Sequence, residues 1–158
     1  VTDTTVTEQP LLWKAAIWAG LISGVAFVML EMMLVPLFLG GSPWAPPRMI
    51  AAMVMGKGVL PPPATFDIGV LMAAMAVHFP LSVVFTLILA WIIARFDRGV
   101  AVLIGAVFGL ILYVVNFYGF TAIFPWFAMA RNGVTIFTHI MFGMIAALAY
   151  KQLAKPKA

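Results

Sequence analysis

Four stretches of this chain stay apolar for far longer than a soluble helix needs. They run from about Leu12 to Leu39, Ile68 to Ala94, Val100 to Ile123 and Val134 to Tyr150. A bilayer core about 30 Å thick is crossed by about 20 apolar residues in helical form. The pattern therefore predicts an all-α membrane protein, a four-transmembrane-helix bundle forming one integral membrane domain over residues 1–158. Tight polar turns separate the second span from the third (Arg95, Asp97, Arg98) and the third from the fourth ("FPWFAMARNG"). The one long connection, "GGSPWAPPRMIAAMVMGKGVLPPPATFD", joins the first span to the second. Within it, Pro47 to Met55 has proline at its start and Gly56 and Gly58 just past its end, which predicts a short helix at the membrane interface.

Composition agrees. Hydrophobic residues make up 65% of the chain and charged residues 9%, with a mean hydropathy of +1.13, whereas soluble domains carry roughly 25% charged residues. The net charge of +4 is spread in ones and twos at span ends, with no basic strip to track phosphates, so nucleic acid is not an expected partner. The absence of cysteine excludes disulfides, thiolate metal sites and cysteine nucleophiles. The polar start "VTDTTVTEQP" lacks a basic n-region, so the first apolar run is expected to be retained as an anchor rather than cleaved.

The placement of the cations predicts orientation. Lys14, Arg95, Arg98, Lys151, Lys155 and Lys157 fall on one side, and Arg48, Lys57 and Arg131 on the other. The positive-inside bias then puts both termini in the cytoplasm of a bacterial inner membrane. Trp44 and Trp126 fall near the outer interface and Trp13, Trp18 and Trp91 near the inner one, as an aromatic belt would place them.

Small residues recur at four-residue spacing. Gly20 and Gly24, Gly105 and Gly109, and Gly143 with Ala147 mark faces on which helix backbones can approach closely. Against this apolar background four polar residues stand out. At about 1.5 Å per residue, Glu31 lies about 12 Å inside its span, His78 about 15 Å, and Asn116 and His139 about 10 Å each, all measured from the same membrane face. Four helices thus bring Glu31, His78, Asn116 and His139 to comparable depth.

A carboxylate at that depth is costly unless neutralised, paired or wetted. Three readings follow. In the first, interhelical hydrogen bonds among the four residues lock the bundle. In the second, Glu31, His78 and His139 hold a metal, two imidazoles and a carboxylate being a common ligand set, or the two histidines hold haem. In the third, Glu31 titrates in a proton or ion pathway. Pro80 and Pro36 loosen the helices near His78 and Glu31. No Ser-His-Asp order, phosphate loop or acid–base pair outside the spans suggests an enzyme, and no catalytic residue is assigned. Asp67 reads as the N-terminal cap of the second span.

The stretches "GGSPWAPPRMIAAMVMGKGVLPPPATFD", "HFPLS" and "THIMFGMIAALAY" resemble a group of small four-helix bacterial inner-membrane proteins without assigned function, some of which carry the automatic name sodium:proline symporter. The resemblance implies location and architecture rather than chemistry. Transporters of that kind are built from paired inverted repeats, and four spans without an internal repeat would need a homo-oligomer to make a pathway. The first expectation is a non-enzymatic accessory or assembly subunit of a larger membrane complex, without a cofactor. A metal- or haem-binding module and an oligomeric transporter or channel are the alternatives.

Overall fold

The computed structural model describes residues 11–155, so the polar N-terminal segment and Lys157 lie outside the described residues. Five helices carry the fold: α1 (Trp13–Leu39), α2 (Ala45–Met55), α3 (Ile68–Ile93), α4 (Arg98–Val114) and α5 (Gly133–Leu153). α4 continues through a π-turn at Val115–Gly119 and a 3-10 turn at Phe120–Ala122. With that extension, α1, α3, α4 and α5 are each long and apolar enough to cross a membrane. The architecture is the all-α, four-span membrane bundle that the apolar pattern predicts.

Short polar side chains fix where three of the four spans begin. Asp67 Oδ1 accepts the Val70 N–H at 3.0 Å, as expected of a cap. Asp97 does the same for Gly99 and Val100, and Asn132 for Thr135. Each satisfies N–H groups that a helix start leaves without an intrahelical partner. α1 stops at Gly40, whose φ of +67° suits a residue with no Cβ. At the opposite end of the bundle, the Lys151 ammonium donates to the Ala94 carbonyl at 2.8 Å and ties the last turn of α3 to α5.

The spans do not form an even ring. α1 packs between α3 and α5, and α5 between α1 and α4, while α3 and α4 touch only sparingly despite the tight turn that joins them. At the turn end of the bundle the core is built mainly from alanines: Ala15, Ala16, Ala19, Ala90, Ala101, Ala146 and Ala147, with Leu89, Ile93 and Tyr150. Lipid tails are as apolar as these side chains, so close van der Waals packing must hold the helices together.

The expected glycine faces are the contact faces. A Cβ on Gly105 would collide with the Gly143 carbonyl, one on Gly143 with the Gly105 carbonyl, and one on Gly109 with the His139 carbonyl. Antiparallel α4 and α5 therefore meet backbone to backbone. On the other side of the bundle, a Cβ on Gly20 would lie 2.8 Å from Val83 Cα, and one on Gly24 2.9 Å from Ser82 Oγ, which seats α1 on α3.

The connection between α1 and α3 folds back onto the bundle. α2 starts at Ala45, two residues before the sequence expectation, with Pro46 and Pro47 in its first turn. Ala51 is buried beside Val70 and Ala74 of α3, and Ala52 is buried as well. α2 is thus seated on protein along this face. Arg48 holds the return loop by donating to the Val59 carbonyl at 2.9 Å and to the Thr65 carbonyl. The connection between α4 and α5 contains a 3-10 segment, Pro125–Ala130. Here the belt expectation fails for Trp126. Its ring is buried against Phe124 and Phe127, and its indole N–H donates to the Met49 carbonyl of α2 at 3.0 Å. Trp13, Trp18 and Trp91 do lie exposed on the outside of the bundle.

Replacing Gly109 or Gly143 with valine is expected to pry α4 from α5 and to cost at least the ~1–3 kcal/mol typical of overpacking. Gly58, which has open space around it, is the control, and its alanine variant should unfold in detergent like the parent protein. Thermal unfolding of the three variants checks this.

Candidate functional site

Near the α2 end, the spans diverge around a cavity of about 400 Å³. Its walls are almost wholly apolar, and polar side chains reach it from every span: Glu31 from α1, His78 and Ser82 from α3, Asn116 from the π-turn of α4, and Thr135 and His139 from α5. All four intramembrane residues singled out by depth therefore lie on its wall. Met49, Ile50 and Met53 of α2 line one part of it, and Phe124, Phe127 and Met129 of the α4–α5 connection another.

Shared depth does not make one cluster. Glu31, 6% exposed, takes its hydrogen bond from the Thr138 hydroxyl at 2.5 Å and not from an imidazole or amide. His139 Nδ1 lies 2.8 Å from the Thr135 carbonyl, one helical turn back. A carbonyl only accepts, so Nδ1 carries the hydrogen. Nε2 then accepts from the Asn116 amide at 3.3 Å. On α3, His78 Nε2 lies 2.9 Å from the Gly24 carbonyl of α1 and must donate to it, with Ser82 Oγ 3.3 Å from the same nitrogen. The lock reading thus describes three separate fastenings: α1 to α5, α4 to α5, and α3 to α1.

Phe27 explains the separation. Its ring stacks on His78 with centroids 5.5 Å apart and meets the edge of His139 at 4.9 Å, standing against both imidazoles. A second aromatic group, Tyr113 and Phe117, packs against the other side of His139. Among the described residues, no three His, Cys, Asp or Glu side chains gather as a metal would require. The proposed trio of Glu31, His78 and His139 does not fit a metal. His139 has both nitrogens engaged, Nδ1 with the Thr135 carbonyl and Nε2 with Asn116, and the carboxyl faces Thr138, so of the two imidazoles only the second nitrogen of His78 is left over. Axial ligation of haem by both histidines would require His139 Nε2 to leave Asn116, and the Phe27 ring packs against both imidazoles.

Several partners escape the depth argument. Thr138 and Thr135 supply the hydroxyl and carbonyl on which Glu31 and His139 rest. Their signal in the sequence is position alone: Thr138 adjoins His139, and Thr135 is four residues before it. His78, Ser82 and Thr86 recur at four-residue spacing along α3 and are all buried. Thr86 Oγ1 is the one buried side-chain polar atom among the described residues without a hydrogen-bond partner. Arg131, on the cavity's end of the bundle, donates to the Phe117 carbonyl at 2.7 Å, and its guanidinium lies 4.2 Å from the centre of the Tyr118 ring. It holds the π-turn that carries Asn116. No protein-family model, curated protein or solved structure matches the chain.

Two isosteric changes of the same kind should have opposite effects. Thr138→Val strands a buried carboxyl and is expected to cost about 1–3 kcal/mol, whereas Thr86→Val removes an unpartnered hydroxyl and should be neutral or stabilising by about 1 kcal/mol. Glu31→Gln, which keeps a hydrogen-bonding group opposite Thr138, should lose less than Thr138→Val. Denaturant or thermal unfolding in micelles orders the three.

Proposed function

We propose that this small polytopic membrane protein works by holding a hydrophobic molecule in the cavity at the α2 end, and that it does so without catalysing a reaction. The observation that carries this reading is the cavity itself. Pockets of about 300–1,000 Å³ with apolar walls and a few convergent polar groups are the usual form of small-molecule sites, and this one has both the size and the lining. In a bundle whose other contacts are as tight as glycine against carbonyl, such a space is not a packing necessity. The sparse contact between α3 and α4 gives a ligand dissolved in lipid a lateral route to the site.

The polar wall has capacity left over for the ligand's head. Asn116 Oδ1, the second nitrogen of His78 and the second oxygen of Glu31 have no hydrogen-bond partner among the described residues. An amphiphile with an apolar body and a compact polar head meets both parts of the lining. The asymmetry of Lys and Arg supports a bacterial inner-membrane location with both termini cytoplasmic and the cavity in the outer half of the bilayer. The symporter name borne by the proteins this sequence resembles is compatible with binding a small solute. The four spans of one chain leave any transport to an oligomer.

Native mass spectrometry after gentle extraction from the source membrane is the direct test. A small organic adduct, lost when Leu81→Trp or Met53→Trp fills the cavity, is the expected result. A bare chain that instead extracts in fixed stoichiometry with other membrane subunits would replace this reading with that of an accessory subunit.

A further inference from the structure

We propose that the cavity's ligand is a lipophilic monocation, taken up in exchange for a proton on Glu31. The inference rests on the cavity-binding reading above and narrows it to one chemical class.

Three observations carry it. First, among the described residues Glu31 is the only acid lining the cavity, and no Lys or Arg lines it. The two arginines at this end are committed elsewhere, Arg48 to the Val59 and Thr65 carbonyls and Arg131 to the Phe117 carbonyl and Thr121. Secondly, the histidines face partners other than the acid. The hydrogen bond to the Glu31 carboxyl comes from Thr138, while His78 from α3 donates to the Gly24 carbonyl, and His139 from α5 donates to the Thr135 carbonyl and accepts from Asn116. α4 adds Tyr113, which packs against His139, and α2 adds no titratable side chain to the lining. Thirdly, the walls are rich in phenylalanine: Phe27 from α1, Phe85 from α3, Phe117 and Phe120 from the end of α4, Phe127 from the α4–α5 connection and Phe142 from α5. Aromatic faces attract cations, most strongly where water is excluded. A wall of phenylalanines around one uncompensated acid is complementary to a cation with an apolar coat. A neutral guest would leave the acid unused.

The exchange is balanced. In the empty cavity the acid form avoids an unpaired charge in the membrane. When the cation seats, the carboxyl O–H bond breaks, the proton leaves to the aqueous phase, and the carboxylate pairs with the cation. Thr138 is placed to serve both forms. Its hydroxyl reaches the Thr135 carbonyl at 3.1 Å as well as the Glu31 carboxyl. It can accept from the acid while donating to Thr135, or turn and donate to the carboxylate.

The test uses full-length protein in micelles, with tetraphenylphosphonium as the cation and triphenylphosphine oxide as a neutral aromatic comparison. Binding is measured by calorimetry, and released protons by an indicator dye in weak buffer. The expected result is one proton released per phosphonium bound. Affinity should rise about tenfold per pH unit while Glu31 is protonated in the empty protein, and the neutral probe should bind without proton release. Glu31→Asp should keep the proton release, and Glu31→Gln should lose it together with the preference for the cation. Phosphonium binding without proton release, or binding no tighter than that of the neutral probe, would overturn the exchange and leave the cavity reading standing. If neither probe binds the parent protein, or if Leu81→Trp leaves both unaffected, the cavity reading falls as well. The proton count on the parent protein needs no variant, so a misfolded Glu31→Gln protein does not spare the proposal.

Discussion

The backbone contact between α4 and α5 is the constraint on which the rest of this protein depends. With Gly105, Gly109 and Gly143 at the crossing, carbonyls sit where side chains would otherwise be. The two helices are thereby fixed in rotation as well as distance, since only one face of each can come so close. That rotation decides where α5 points its next residues. The His139 carbonyl lies against Gly109, so its side chain and those of Thr135 and Thr138 are carried to the cavity and to α1. Asn116, seven residues beyond Gly109 on α4, reaches His139 because the π-turn at Val115–Gly119 changes the helical phase just there. π-turns within helices are frequent at functional sites.

A bundle closed so tightly along one seam opens elsewhere. α4 meets α5, α5 meets α1 and α1 meets α3, yet α3 and α4 remain largely apart. The two connections at the α2 end fold inward to line the resulting space, and their own contacts hold them there. The Trp126 indole on the Met49 carbonyl joins one connection to the other. Arg48 and Arg131 each clamp a loop through backbone carbonyls instead of pairing with carboxylates. The two arginines at this end thus act as loop fasteners, and the one acid inside is left without a cationic counterpart among the described residues.

The sequence showed the spans plainly because a membrane imposes a length and a hydropathy on every crossing segment, whatever that segment packs against. Caps at Asp67 and the glycine contact faces were legible for a similar reason. Each depends on local chemistry or a short repeat. Trp126 was misplaced because hydropathy treats every tryptophan near a span end alike. Whether an indole faces lipid or a neighbouring loop depends on a loop conformation that no periodicity reports. α2 began earlier than expected because two consecutive prolines can both occupy a first helical turn, so the second did not mark the start.

The polar residues show most clearly where depth reasoning stops. Rise per residue gives a side chain's level in the membrane and says nothing of its azimuth around the helix. At one level, Glu31, His78, Asn116 and His139 had six possible pairings, and only that of Asn116 with His139 is made. The other two fastenings go to groups that a list of polar residues omits: the Gly24 carbonyl and the hydroxyl of Thr138. Gly24 donates no side chain, yet its lack of one lets α1 lie close enough to α3 for His78 to reach its carbonyl. The same glycine that hydropathy reads as packing is thus half of a polar contact. With His78 turned to the Gly24 carbonyl and His139 to the Thr135 carbonyl and Asn116, neither imidazole is hydrogen-bonded to Glu31. The packing that keeps the bundle closed is therefore also what keeps the acid in the cavity unpaired.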